Sequence, residues 1–190
     1  EPLSNYQITH MATVNEGRIV VISTRRVEDE VLGKPKPEQG ALFFFDTEKH
    51  EITGKLEPVL LAKGAGAIVG VGGSRVLGWT EDPEDPKASV LYAVDVNGPR
   101  QAFKRALPYP LPVGIGSNQQ EAWDFRMGPD GMVWTFMGGV LVRIAPRDGA
   151  IEPVGNPGTS GRIAFSGGRV YLGGTTAVRR IKEGAEPPTR

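Results

Sequence analysis

Residues 122–155 read AWDFRMGPDGMVWTFMGGVLVRIAPRDGAIEPVG. Two apolar runs in this stretch, Met132 to Met137 and Val140 to Ile144, meet at Gly138-Gly139, a dipeptide that supplies the positive φ of a tight hairpin. Gly128-Pro129-Asp130-Gly131 predicts a turn before them and Pro146-Arg147-Asp148-Gly149 another after them. Proline presets φ at the second turn position, and Asp-Gly tolerates a left-handed conformation. About four short antiparallel strands therefore follow one another as a meander.

The same order of strands recurs outward from this stretch. Its second-strand signature, a glycine or arginine followed by β-branched and aromatic residues, appears at Gly17 to Val21, Ser74 to Trp79, Gly131 to Trp134 and Gly168 to Leu172. A third strand follows each copy, at Ala41 to Asp46, Val90 to Asp95, Val140 to Ile144 and Ala177 to Ile181. First strands are expected at Tyr6 to Val14, Ala65 to Val71, Ala122 to Met127 and Arg162 to Phe165. Fourth strands are expected at Glu51 to Leu56, Gln101 to Ala106 and Ala150 to Val154. No stretch carries a capped 3.6-residue period, so helix should be scarce. A four-stranded meander in four copies is the signature of an all-β fold, a β-propeller of about four blades, here near 1–60, 61–113, 114–156 and 157–190.

The fourth copy runs through three strands and then into Glu183-Gly184-Ala185-Glu186-Pro187-Pro188, a poor strand, so the last blade is expected to be incomplete. Only Glu1 to Asn5 precede the first blade, too few residues to supply the missing strand. Closure is then expected from the remaining segment of a larger propeller, of which this chain is the C-terminal half, or from a second copy of the chain. A self-contained ring of four blades is the alternative. An open half would expose apolar faces and strand edges.

Composition narrows the function classes. Lys+Arg and Asp+Glu balance at 22 each with no basic cluster, which argues against a nucleic-acid backbone or an anionic membrane as partner. No apolar run approaches the roughly 18 residues of a membrane-spanning helix. The absence of cysteine excludes disulfides, thiol catalysis and Cys-based zinc sites. It fits the cytosol and equally a bacterial periplasmic or extracellular domain, the setting slightly favoured here. There is no Gly-x-Ser-x-Gly elbow, phosphate-binding loop or zinc-ligand spacing, so the residues name no cofactor and no metal.

The segment GPDGMVWTFMGGVLVRIAPRDGAIEPVG resembles the repeat of streptogramin (virginiamycin B) lyase and of the wider NHL and SMP-30-like propellers. In that repeat a first strand ends in G-P-D-G, a V-W pair follows, and a third strand carries R-I-x-P-x-G. The match is good in the third copy and partial in the fourth, while the first two keep the strand pattern and the aspartates ending their third strands, Asp46 and Asp95. The resemblance implies a propeller. Its superfamily spans lyases, lactonases, sugar dehydrogenases and binding scaffolds, so it does not imply one activity. In the streptogramin lyases histidine and glutamate near the channel supply a base and magnesium ligands. Here His10 is the histidine on a first strand, with Glu121 a distant companion.

First strands of a propeller line its channel, which singles out Tyr6, His10, Asp124, Arg126 and Arg162. Trp123 lies beside them or, by strand alternation, faces the core. His10, Tyr6 and Arg126 are the catalytic candidates, since tyrosine, arginine and a tuned histidine suffice for proton abstraction next to a carboxylate. Asp124, Trp123 and Arg162 are ligand-binding candidates, as are Asn118 and Gln119 in the loop Ser117 to Glu121, whose amides suit a hydroxyl-rich ligand. His50 reads as an exposed turn residue, and Glu81 to Lys87 as a solvated acidic loop rather than a calcium site. Trp79, Trp134 and Phe136 read as fillers between blades.

Three functions fit these residues. The first is a binding module that presents a channel mouth to a carbohydrate, a small organic ligand or a protein. The second is a lyase or hydrolase site completed by another segment. The third is an assembly scaffold.

Overall fold

The structure, a computed structural model, describes residues 3, 5–27, 39–85, 88–106, 124–137, 140–155, 157, 161–174 and 178–181. It is an all-β protein built of four antiparallel meanders, the blades of a β-propeller. The chain divides into two compact units, Glu1–Pro108 and Tyr109–Arg190.

The first unit holds two four-stranded sheets in sequential order. One comprises β1 (Tyr6–Val14), β2 (Ile19–Arg26), β3 (Leu42–Asp46) and β4 (Glu51–Leu56). The other comprises β5 (Ala67–Gly70), β6 (Arg75–Glu81), β7 (Ser89–Asp95) and β8 (Arg100–Ala106). β-Branched and aromatic runs make the central strands, since such side chains pack well on a pleated surface. Val14, Val21, Leu42 and Phe44 of the first sheet are buried against Val59, Ile68, Val76, Tyr92 and Val94. The buried Tyr92 hydroxyl donates to the Ala65 carbonyl at 2.6 Å, and burial drives its pKa far above the ordinary phenol value.

The aspartates that end β3 and β7 stop those strands by one device. Asp46 Oδ1 accepts the main-chain N–H groups of Glu48 and Lys49 at 2.9 and 3.1 Å, and Asp95 Oδ1 accepts that of Asn97 at 3.1 Å. A side chain that mimics the backbone in this way closes the turn into the next strand. The β3–β4 and β7–β8 ladders also slip at matching places, between Phe44 and Phe45 and between Ala93 and Val94.

The second unit holds β9 (Arg126–Met127), β10 (Val133–Met137), β11 (Val140–Ile144) and β12 (Ile151–Gly155) in one sheet. The other sheet has three strands among the described residues, β13 (Arg162–Ser166), β14 (Arg169–Gly173) and β15 (Val178–Arg180). Trp134, Phe136 and Leu141 are buried against Ile163 and Leu172. Gly131 and Gly149 take φ of 76° and 72° in the two turns, with Gly131 N–H donating to the Gly128 carbonyl at 3.1 Å. Gly138-Gly139 lies outside the described residues, between the cross-strand partners Met137 and Val140.

The first strand of the third blade differs from the expected Ala122 to Met127. Its ladder with β10 runs only through Met127↔Val133 and Arg126↔Trp134. Before it, Asp124 turns its carboxylate across to the neighbouring sheet, and Ala122 and Trp123 lie outside the described residues.

Candidate functional site

Tyr6 and His10 both sit on β1, but the strand does not present them together. Thr9 is an extra residue in the pairing with β2: Ile8 faces Thr24 and His10 faces Ser23. A bulge of this kind shifts every later side chain to the opposite face. Tyr6 packs edge-on against Phe43, with centroids 5.2 Å apart, and Lys55 Nζ lies 5.5 Å from its ring centre. His10 falls on the other face, beside Ser23, whose hydroxyl donates to the Gly66 carbonyl of the second blade. Thr9 Oγ1 donates to Ser23 at 3.2 Å, which pins the bulge. Burial pushes the His10 pKa below its ordinary value, opposed by a hydrogen bond to the Gly66 main chain.

In the second unit the structure brings Asp124, Arg126 and the start of β13 together. Asp124 is 4% exposed and accepts two hydrogen bonds, from Arg126 Nε at 2.7 Å and from the Ile163 main-chain N–H at 2.6 Å. Its carboxylate therefore joins the two sheets. The Arg126 side chain is 54% exposed, and its Nη1 and Nη2 have no hydrogen-bond partner among the described residues. Arg162, exposed, precedes Ile163 in the chain. The contact thus fixes the root of one guanidinium and leaves its terminal fork facing outward, beside a strand that begins with a second arginine. Trp123, Asn118, Gln119 and Glu121 lie outside the described residues.

The other singled-out residues serve the blades. Trp134 donates Nε1–H to Asp130, meets Phe165 edge-on at 5.9 Å, and carries the Arg143 guanidinium 5.8 Å above its ring. Phe136 is buried in the same core, and Trp79 is half-buried on β6. His50 is exposed in the turn after Asp46, at φ 56°. In the acidic loop Asp82 accepts the Glu84 N–H at 3.0 Å, and Glu81 accepts that of Lys63 at 3.0 Å. No group of three or more His, Cys, Asp or Glu among the described residues is placed to hold a metal ion.

Sequence reasoning missed a cavity of about 810 Å³ in the first unit. It lies at the end of the sheets where β1 turns into β2, β3 into β4 and β7 into β8, opposite the connection from β4 to β5. Asn15, Arg18, Asp46, Thr53 and Asn97 give it polar walls, and Ile19, Phe44, Val96 and Pro99 apolar ones. The available signal was the pair of strand-ending aspartates, Asp46 and Asp95, the second of which is followed by Asn97 in its turn.

No family model matches the sequence. Nor does any curated protein. Among solved structures the chain is similar to one from an analysis of two prolyl endopeptidases, at 11% identity and a TM-score of 0.50 over 94% of this chain. It is also similar to the Dos1 propeller, at 10% identity and a TM-score of 0.49 over 85% of this chain, and to BamB from Moraxella catarrhalis, at 12% identity and 0.39 over 86%. The chain spans 28%, 37% and 54% of the lengths of those structures, in that order. At such identities the likeness speaks to fold alone.

Proposed function

We propose that the chain is a ligand-binding propeller module whose ligand presents a carboxylate to Arg126, as a sugar acid or a small organic acid does. The observation that supports this is the Asp124–Arg126 contact. A guanidinium held at Nε by a buried carboxylate pays little further ordering cost when its two terminal nitrogens engage an anion in fork geometry. Arg162 at the head of β13 adds positive charge to the same region. Each charge-assisted hydrogen bond made there contributes about 1.5–3 kcal/mol when shielded from water. The propeller fold suits such a module, because blades expose first-strand ends and loops on a rigid frame. Further propeller blades, from the remaining segment of a larger propeller or from a second copy of the chain, are the macromolecular partner in this reading.

Isothermal titration with galacturonate and glucuronate, beside galactose and glucose, tests it. Saturable heat is expected for an acid, weakening with added salt and lost in Arg126→Ala. Absence of binding for both acids, or binding unchanged in Arg126→Ala, would sink the reading.

A further inference from the structure

The geometry points to a second ligand site, the cavity of the first unit, for a neutral polyhydroxy molecule of mono- or disaccharide size. Its volume of about 810 Å³ lies within the range of small-molecule pockets. The charge of its walls selects against ions. Arg18 and Lys49 are matched by Glu16 and Asp46, and Arg18 already meets Asp46 at 3.5 Å and Glu48 at 3.3 Å. An anion or a cation entering there gains no net attraction.

What the walls do offer is a paired amide. Asn15 Nδ2 donates to Asn97 Oδ1 at 2.9 Å, bridging the two blades. An amide joined to an amide keeps both a donor and an acceptor for a third group, whichever way each is turned. Neighbouring hydroxyls of a sugar supply the matching acceptor and donor. Ile19, Val96 and Pro99 give the C–H face of a ring an apolar surface.

The backbone on this rim is held in a form that asparagine tolerates and glutamate disfavours. Asn15 and Glu16 both lie in the left-handed region, at φ 50° and 57°. Asn15 is clamped there by its N–H to the Gly73 carbonyl at 2.8 Å and by its amide to Asn97. Strain maintained by contacts to the next blade is what preorganised ligand walls show. The cavity belongs to the first unit and takes a neutral ligand, so it stands independently of the Arg126 reading.

The test is ligand-observed NMR with glucose, galactose, maltose and cellobiose on the full chain, with folding of each variant checked by thermal melting. At least one of these sugars is expected to bind saturably. Affinity should fall tenfold or more in Asn97→Ala and disappear in Thr53→Trp, which fills the space. No binding of any of the four to the wild-type chain would overturn the assignment. So would equal binding by wild type, Asn97→Ala and Thr53→Trp.

Discussion

Tyr6 and His10 lie four residues apart on β1 yet face opposite sides of its sheet, because Thr9 is an extra residue in the ladder with β2. His10 is thereby carried into the seam with the second blade, where burial favours its neutral form. The folded pKa is below the unfolded value of about 6.5, so the unfolded chain binds more protons in the window beneath that value. Stability from this group is complete above about pH 6.5 and is lost as the pH falls. Urea midpoints compared at about pH 7.5 and pH 5 should drop more for wild type than for His10→Gln, because glutamine carries no titrating proton. Equal drops would show that His10 carries no such linkage.

Asp124 and Arg126 are expected to separate under mutation. Removing the carboxylate strands the Ile163 N–H in the seam between sheets, so Asp124→Ala should cost roughly 2–3 kcal/mol. Arg126 is half in water, and solvent screening discounts its ion pair. Arg126→Ala should therefore cost less than about 1 kcal/mol while removing acid binding. Urea unfolding of both variants checks the contrast. Comparable large losses would make Arg126 a structural partner only.

Most of the fold was legible because each blade repeats one local code. Tyr6 to Val14, Glu51 to Leu56 and Val140 to Ile144 form strands over the spans their patterns predict. The turns at Gly131 and Gly149 take the left-handed φ that their Asp-Gly pairs require. What the sequence hid depends on distant pairs. The bulge at Thr9 is pinned by Ser23, which is itself tied to Gly66. Asp124 owes its place to Ile163, 39 residues on, and the cavity wall joins Asn15 to Asn97 across 82 residues. No local period encodes such contacts. The resemblance in the third copy likewise covers turn and strand residues, which specify a blade, whereas activity resides in side chains that vary between blades.

Leu61 is 59% exposed at φ 64°, a conformation that a branched side chain disfavours. Its N–H is captured by the Gln39 side chain at 2.6 Å, and Val59 and Ala62 on either side are buried. The loop is thus anchored in a shape its own residue resists. Glycine removes a strain of about 1–2 kcal/mol and adds about 0.5–1 kcal/mol of unfolded-state freedom. Leu61→Gly should therefore stabilise the chain by about 0.5–1 kcal/mol, read as a higher melting temperature. A lower melting temperature would show that Leu61 packs more than its exposure indicates.

Gly66 and Gly17 distinguish a steric requirement from a conformational one. Both have positive φ, 78° and 90°. A Cβ on Gly17 would meet nothing within 4 Å, whereas on Gly66 it would lie 1.7 Å from the Trp79 carbonyl oxygen. Gly17→Ala carries only the left-handed penalty, about 1–2 kcal/mol. Gly66→Ala must also push β6 away from the start of β5, and it displaces the carbonyl that receives the Ser23 hydroxyl. Its cost should exceed about 4 kcal/mol, in the range reserved for core disruption. Chemical denaturation of the two variants, with tryptophan fluorescence as the readout, should place Gly66→Ala well below Gly17→Ala. Equal midpoints would mean that Gly66 does not approach the Trp79 carbonyl as closely as described.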